Sequence, residues 1–148
     1  MDEHVERALE LAREAAAEGN RPFGAVLLGP DGAVLAEGRN RVTSTGDLRA
    51  HAELDALENA RLAGRAFQGG MMIASGEPCP MCSAGMVWAG LARIVFAAAE
   101  PDFAPILAEG PRFTLRCAEV VGSASVELAV DGPVGGEAAL EVFREFVG

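Results

Sequence analysis

Ser75-Gly76-Glu77-Pro78-Cys79-Pro80-Met81-Cys82 decides how this chain is read, together with His51-Ala52-Glu53 upstream of it. Cysteines at i and i+3 stand on one face of a helical turn, where both sulfurs reach one metal ion. Pro78 and Pro80 suit the approach and first turn of that helix, since an N–H missing there had no intrahelical acceptor. An ion at that end lies near the positive pole of the helix dipole, which favours thiolates. Two thiolates and one imidazole give zinc three protein ligands and leave the fourth tetrahedral position open for water. His51, Cys79 and Cys82 are therefore the expected ligands of one zinc ion per chain.

Working outward, His51 to Ala63 reads as a helix with Leu54 and Leu57 toward the core and Gly64 ending it. Met71 to Ser75 reads as a buried strand, Pro80 to Ala89 as the second ligand helix and Ala92 to Ala98 as a further strand. Upstream, residues 3 to 18 repeat Val5, Leu9, Ala12 and Ala16 at helical spacing. Phe23 to Leu28 and Ala33 to Glu37 flank a Gly29-Pro30-Asp31-Gly32 turn as a hairpin, and residues 38 to 50 form a polar loop. Downstream, the pattern predicts one or two helical turns over Ala104 to Glu109 and a helix over Thr114 to Val121. A strand over Val126 to Val130 and a closing amphipathic helix over Glu137 to Val147, on Leu140, Phe143 and Val147, complete the chain. Strands alternating with helices imply an α/β layered domain with parallel pairings, one domain over residues 1–148.

Composition narrows the functions. The 148 residues carry twelve basic groups, all arginine, against twenty-two acidic ones, for a net charge of −10. A protein that grips a phosphodiester backbone usually carries a basic footprint, so a nucleic-acid partner is not expected. No apolar run of about 18 residues exists to span a membrane. The acidic N-terminus does not read as a signal peptide, which makes the cytoplasm the expected location. Three cysteines suit a reducing compartment, with Cys117 expected as a small buried hydrophobe.

His-x-Glu followed by Pro-Cys-x-x-Cys resembles the signature of the zinc-dependent base and nucleoside deaminases. The likeness runs over about residues 20 to 100. It includes Pro22-Phe23-Gly24-Ala25-Val26, the Glu37-Gly38-Arg39-Asn40-Arg41 turn and Glu77. The resemblance implies a three-layer α/β/α domain around a mixed central sheet of about five strands, a small heterocyclic substrate and a homodimer. It implies that Glu53 is not a ligand but the proton shuttle, taking a proton from zinc-bound water and passing it to a ring nitrogen and then to the departing amino group. Residues i and i+2 of a regular helix point about 200° apart, so His51 and Glu53 cooperate only at the helix's first turn, with the metal off its end.

The resemblance also assigns Asn40 and the backbone N–H of Ala52 to the substrate. Phe23 and Trp88 are expected mainly as core, and both are also candidates to pack on a planar ring. Asp102 and Phe103, after a strand end, are candidates to close the pocket. Glu119, Glu127 and Asp131 read as solvated surface. Pro-Phe-Gly-Ala-Val and Val95-Phe96-Ala97-Ala98-Ala99-Glu100 look like guanine deaminases, whereas His-Ala-Glu-Leu-Asp-Ala-Leu-Glu-Asn looks like cytosine deaminases. Free bases come first, with nucleosides and a tRNA adenosine deaminase as alternatives. The nonbasic tail, Glu141 to Gly148, speaks against tRNA. Outside enzymes, a structural zinc module stands as an alternative. It would want a fourth protein ligand, and no residue offers one at recognisable spacing.

Overall fold

Gly24–Leu28 (β1) is buried along its whole length, and its alternation sorts the fold into layers. Val26 and Leu28 point to one face and Ala25 and Leu27 to the other, and the two pairs fall in different core clusters. The computed structural model describes residues 2–148. On the Val26 face lie α1 (Glu3–Ala17), α5 (Glu100–Leu107) and α7 (Gly136–Val147), packed through Leu9, Phe103 and Phe143. On the Ala25 face lie α3 (Ala52–Leu62), α4 (Pro80–Trp88) and α6 (Cys117–Gly122), packed through Ala56, Met86 and Cys117. This is the three-layer α/β/α arrangement.

The sheet runs β2 (Val34–Arg39), β1, β3 (Met71–Gly76), β4 (Arg93–Ala98), β5 (Ala129–Asp131). β1 pairs antiparallel with β2 and with β3, whereas β3–β4 and β4–β5 are parallel, so the sheet is mixed as well as five-stranded. The parallel β3–α4–β4 unit delivers the start of α4 to the carboxyl end of β3 and the start of α5 to the carboxyl end of β4. A crevice beyond the carboxyl ends of strands is where α/β sheets bind ligands.

Several expectations from sequence are corrected. Leu54 and Leu57 do pack against the core cluster of that layer but only half-buried, and the fully buried apolar stripe of α3 is Ala52, Ala56 and Ala60. The reason is a backbone-to-backbone approach: a Cβ on Gly38 of β2 would sit 2.2 Å from the carbonyl oxygen of Ala52. Only small residues permit that contact. The 38–50 loop contains one helical turn, α2 (Val42–Thr45), held because buried Asn20 exchanges two hydrogen bonds with Ser44.

The C-terminal third departs further. α5 begins at Glu100 rather than Ala104, with Pro101 in its first turn where no N–H acceptor is lost. α6 begins at Cys117 rather than Thr114, because the Arg116 and Cys117 N–H groups donate to the carboxylates of Glu119 and Glu77. The last strand is Ala129–Asp131, the three residues in register with Arg93, Ile94 and Val95. On α7 the buried residues are Ala139, Val142 and Phe143, while Val147 is 51% exposed. Trp88, expected in the core, is 89% exposed at the end of α4. Cys117 is buried as expected, and burial pushes its thiol up to about 11.

Candidate metal centre and substrate cavity

His51 is the N-cap of α3, with extended backbone (φ −74°, ψ 155°), and Glu53 is the second residue of the helix. The 200° objection therefore does not arise, since His51 stands outside the helical repeat. Cys79 is likewise the extended N-cap of α4 (φ −69°, ψ 169°), followed by Pro80 at the first helical position. Two helix starts thus face one another. His51 Nδ1 lies 3.5 Å from both Cys79 Sγ and Cys82 Sγ, and the three donor atoms all lie within 4.8 Å of one another.

The electrostatics of this triad fit a divalent cation. The Cys82 thiol and His51 draw Cys79 down to about 4 against the cost of burial. Cys82, whose proton serves that bond and which is buried beside Glu53, is pushed up. The hydrogen bond to Cys79 raises His51, while burial and the positive charge of Arg21 oppose it. Two sulfurs and a ring nitrogen stand at metal-ligand spacing, and a zinc ion there would take the place of their protons and accept a lone pair from each.

Glu53 is 6% exposed. Burial first, then the Cys79 thiolate, pushes its carboxyl up to about 7, although His51 pulls the other way. Glu53, His51 and Cys79 line a cavity of about 660 Å³ whose other walls include Phe23, Asn40, Leu48, Phe103 and Leu107. Phe23 meets Phe103 and Phe143 edge-on, each at 5.5 Å, so the ring is both core and cavity wall. Asn40 is buried, and its Oδ1 accepts from the Val42 N–H at 3.1 Å. Its amide NH₂ is the polar group left for the cavity, a narrower role than the donor-plus-acceptor pair expected from its side chain. Ala52 is buried at the first position of α3, where a helix leaves an N–H without an intrahelical acceptor. Asp102 is exposed and is not among the cavity-lining residues, whereas its neighbour Phe103 is.

Sequence reading missed one ion-pair network. The Glu77 side chain, 3% exposed, receives Arg116 Nε at 2.8 Å and the N–H groups of Glu100 (3.0 Å) and Cys117 (3.2 Å). Burial pushes its carboxyl up, but Arg116 and the two N–H groups outweigh that and hold it below the usual range. This one carboxylate pins the starts of α5 and α6 against the residue before the Cys-x-x-Cys turn. The position of Glu77 was the only signal, since Arg116 lies 39 residues away.

Residues 1–98 match the family described as the cytidine and deoxycytidylate deaminase zinc-binding region. A guanine deaminase from Bacillus subtilis is 41% identical over 103 residues, covering 68% of this chain and 65% of the relative. A tRNA(Ile)-lysidine synthase from Deinococcus deserti is also 41% identical over 103 residues, but the match spans only 19% of its length. A tRNA-specific adenosine deaminase from Agrobacterium fabrum is 35% identical over 99 residues, 66% of this chain and 64% of the relative. Among solved structures, a guanine deaminase from Nitrosomonas europaea superposes with a TM-score of 0.82 at 27% identity. That superposition covers 97% of this chain and 82% of the other.

Proposed function

The chain belongs to the cytidine and deoxycytidylate deaminase family by its zinc-binding region, and from that premise we propose a zinc-dependent hydrolytic deaminase of free nucleobases, guanine first and cytosine second. The observation that carries this reading is Glu53, a buried carboxyl beside three metal donors in a cavity lined by aromatic and aliphatic side chains. His51, Cys79 and Cys82 would hold one zinc ion, which when bound supplies Lewis acidity and an activated water. Glu53 is placed to move both protons of the added water: the first to the ring nitrogen beside the amino-bearing carbon, the second, taken from the hydroxyl that the carbon gains, to the departing amine. Water and the amino-heterocycle become the oxo-heterocycle and ammonia. A carboxyl raised toward neutrality suits both directions of transfer. Asn40 NH₂ and the Ala52 N–H donate to the base, and Phe23 packs on its ring.

The likeness to two guanine deaminases, one in sequence and one over nearly the whole fold, supports trying guanine first. The tRNA reading has relatives in its favour, but the surface does not help it. Nine of the twelve arginines are engaged by carboxylates: 7, 13, 39, 49, 61, 93, 112, 116 and 144. Little cationic surface is left for phosphates. Residues 1–148 act as one domain, since α1 and α7 from opposite ends share one core cluster. The protein works in purine or pyrimidine salvage as a cytoplasmic homodimer; three free thiols and the exposed apolar residues of α3 and α4 support this. No helix among the described residues is long and apolar enough to cross a membrane.

Zinc-loaded protein offered guanine, cytosine, adenine, the nucleosides and an anticodon stem-loop should release ammonia from a free base and leave the tRNA intact. Conversion of the stem-loop adenosine to inosine with every base inert would overturn the reading.

A further inference from the structure

Arg21 is set apart from the other arginines. Taking the nine carboxylate-paired ones from twelve leaves Arg21, Arg41 and Arg65. Arg65 donates to the Leu35 carbonyl at 2.6 Å. Arg21 is half-buried and lines the substrate cavity, and among the described residues its guanidinium has neither an ion-pair partner nor a side-chain hydrogen bond. A guanidinium carries five N–H donors in a planar fork and leaves none of its charge to titration. Holding it at a cavity wall without an acceptor sacrifices hydration unless a ligand supplies the acceptors.

The surroundings show where the fork is held. A Cβ at Gly110, in the segment between α5 and α6, would come 3.0 Å from Arg21 Nη1, so that segment packs directly over the guanidinium. Arg21 is joined to the substrate wall through the chain itself, because the Phe23 N–H donates to the Arg21 carbonyl and the Asn40 N–H donates to the Phe23 carbonyl. Its charge reaches His51. On the side of the cavity formed by Arg21 and Asn40 the free side-chain groups are donors, the Arg21 fork and the Asn40 NH₂, while Glu109, next to Gly110 in the overlying segment, lines the same cavity.

We infer that Arg21 is the residue that selects a 6-oxopurine, donating in bidentate fashion to O6 and N7 of the base. The inference rests on the nucleobase deaminase reading and names the substrate class within it. Two adjacent acceptors matched to a guanidinium are the O6/N7 edge of guanine. In deamination at C2 that edge lies across the ring from the reacting carbon, so it stays free while Glu53 works at the ring nitrogen beside C2. Cytosine has an acceptor pair in O2 and N3, but N3 adjoins the reacting C4 and must take the proton. Adenine turns an amino donor toward the fork. A phosphate would satisfy Arg21 as well, yet the same cavity carries the Glu53 and Glu109 carboxylates and the chain a net charge of −10, both unfavourable to an anion.

The test pairs a deletion in the substrate with a deletion in the protein. Zinc-loaded wild type is compared on guanine and on 7-deazaguanine, which lacks the N7 acceptor, and Arg21→Leu and Arg21→Lys are run on both. A good bidentate pair discriminates by about 1–3 kcal/mol, or roughly 5- to 150-fold. Wild type should prefer guanine in kcat/KM by about that factor. In Arg21→Leu the preference should collapse to within about twofold, zinc content unchanged, with Arg21→Lys in between. A guanine preference that survives in Arg21→Leu overturns the assignment, and so does guanosine monophosphate outcompeting guanine in an Arg21-dependent way. Calorimetric binding of guanine and 7-deazaguanine to zinc-loaded Glu53→Gln separates this failure from failure of the deaminase reading. Arg21-dependent discrimination in binding without turnover by wild type would leave the selectivity standing and sink the reaction. Absence of both would sink the two together.

Discussion

A carboxyl enclosed with a thiolate beside it holds its proton more tightly than one in water, because both desolvation and like charge penalise the anion. Glu53 is in that position, with Cys79 as the thiolate. Glu53→Gln keeps the shape and a hydrogen-bonding tip but removes the proton shuttle. Turnover should fall by about 10²–10⁴-fold or more while zinc stays stoichiometric by metal analysis. Near-normal turnover would end the shuttle assignment, and loss of zinc would make Glu53 a support for the metal. The ligands call for a separate test. Cys82→Ala removes one of three donors, so zinc should be lost to a modest chelator that wild type resists. The triple variant His51→Ala, Cys79→Ala, Cys82→Ala should bind none, and stoichiometric retention there would mean that the metal sits elsewhere.

The elements that carry these residues are positioned by contacts remote from the chemistry. α3 can bring His51 and Glu53 to the cavity only because Gly38 lets its backbone lie against β2, with the Ala52 carbonyl oxygen 2.2 Å and the Ala56 nitrogen 2.4 Å from where a Cβ would be. Gly38→Ala must push α3 outward. Overpacking of this kind costs about 1–3 kcal/mol, a fall in Tm of roughly 2–12 °C for a chain of this size. Zinc affinity should drop with it, as the displaced N-cap carries His51; an unchanged Tm would refute the close approach. On the opposite side, Glu77→Ala strips Arg116 and two backbone N–H groups of their acceptor. Arg116 is 39% exposed and regains water, so the loss should be about 2–4 kcal/mol in chemical denaturation, mostly from the two buried N–H groups. Hydrogen exchange should then rise at the starts of α5 and α6 before it rises in the sheet.

At the scale of the molecule, the proposed dimer makes its own demand. Leu62 on α3 is 69% exposed and Trp88 on α4 is 89% exposed, and both helices belong to the layer that carries the metal donors. Large apolar side chains left outward on one layer are characteristic of an interface core. Trp88→Glu should therefore shift the protein toward monomer in sedimentation velocity while leaving its circular dichroism unchanged. An identical sedimentation coefficient for both proteins would place the contact elsewhere. The paired arginines act at this scale too. A chain with most of its cations neutralised by neighbours presents a weak field to polyanions, and so favours a neutral base over a phosphate-bearing substrate.

The metal donors were readable along the chain, Cys79 and Cys82 from their one-turn spacing behind helix-starting prolines and His51 from its place upstream of them, whereas the shuttle role proposed for Glu53 came from the family resemblance. The α/β layering followed from strands alternating with helices along the chain, but the uniformly apolar β1 hid which of its residues face which layer, and only the fold assigns Val26 and Leu28 to one side and Ala25 and Leu27 to the other. What only the folded chain decided involves partners far apart in sequence. Arg116 meets Glu77 across 39 residues, Gly110 packs over Arg21 across 89, and the alanine stripe of α3 lies closest to the sheet because Gly38 lies beneath it. The C-terminal elements were misplaced by a few residues for the same reason. Their ends are set by hydrogen-bond acceptors such as the Glu77 carboxylate, which local periodicity does not register. Spacing can mark the two cysteines of one turn, but His51 joins them across 28 residues. The walls of a cavity are assembled from distant segments, and tertiary packing alone brings them together.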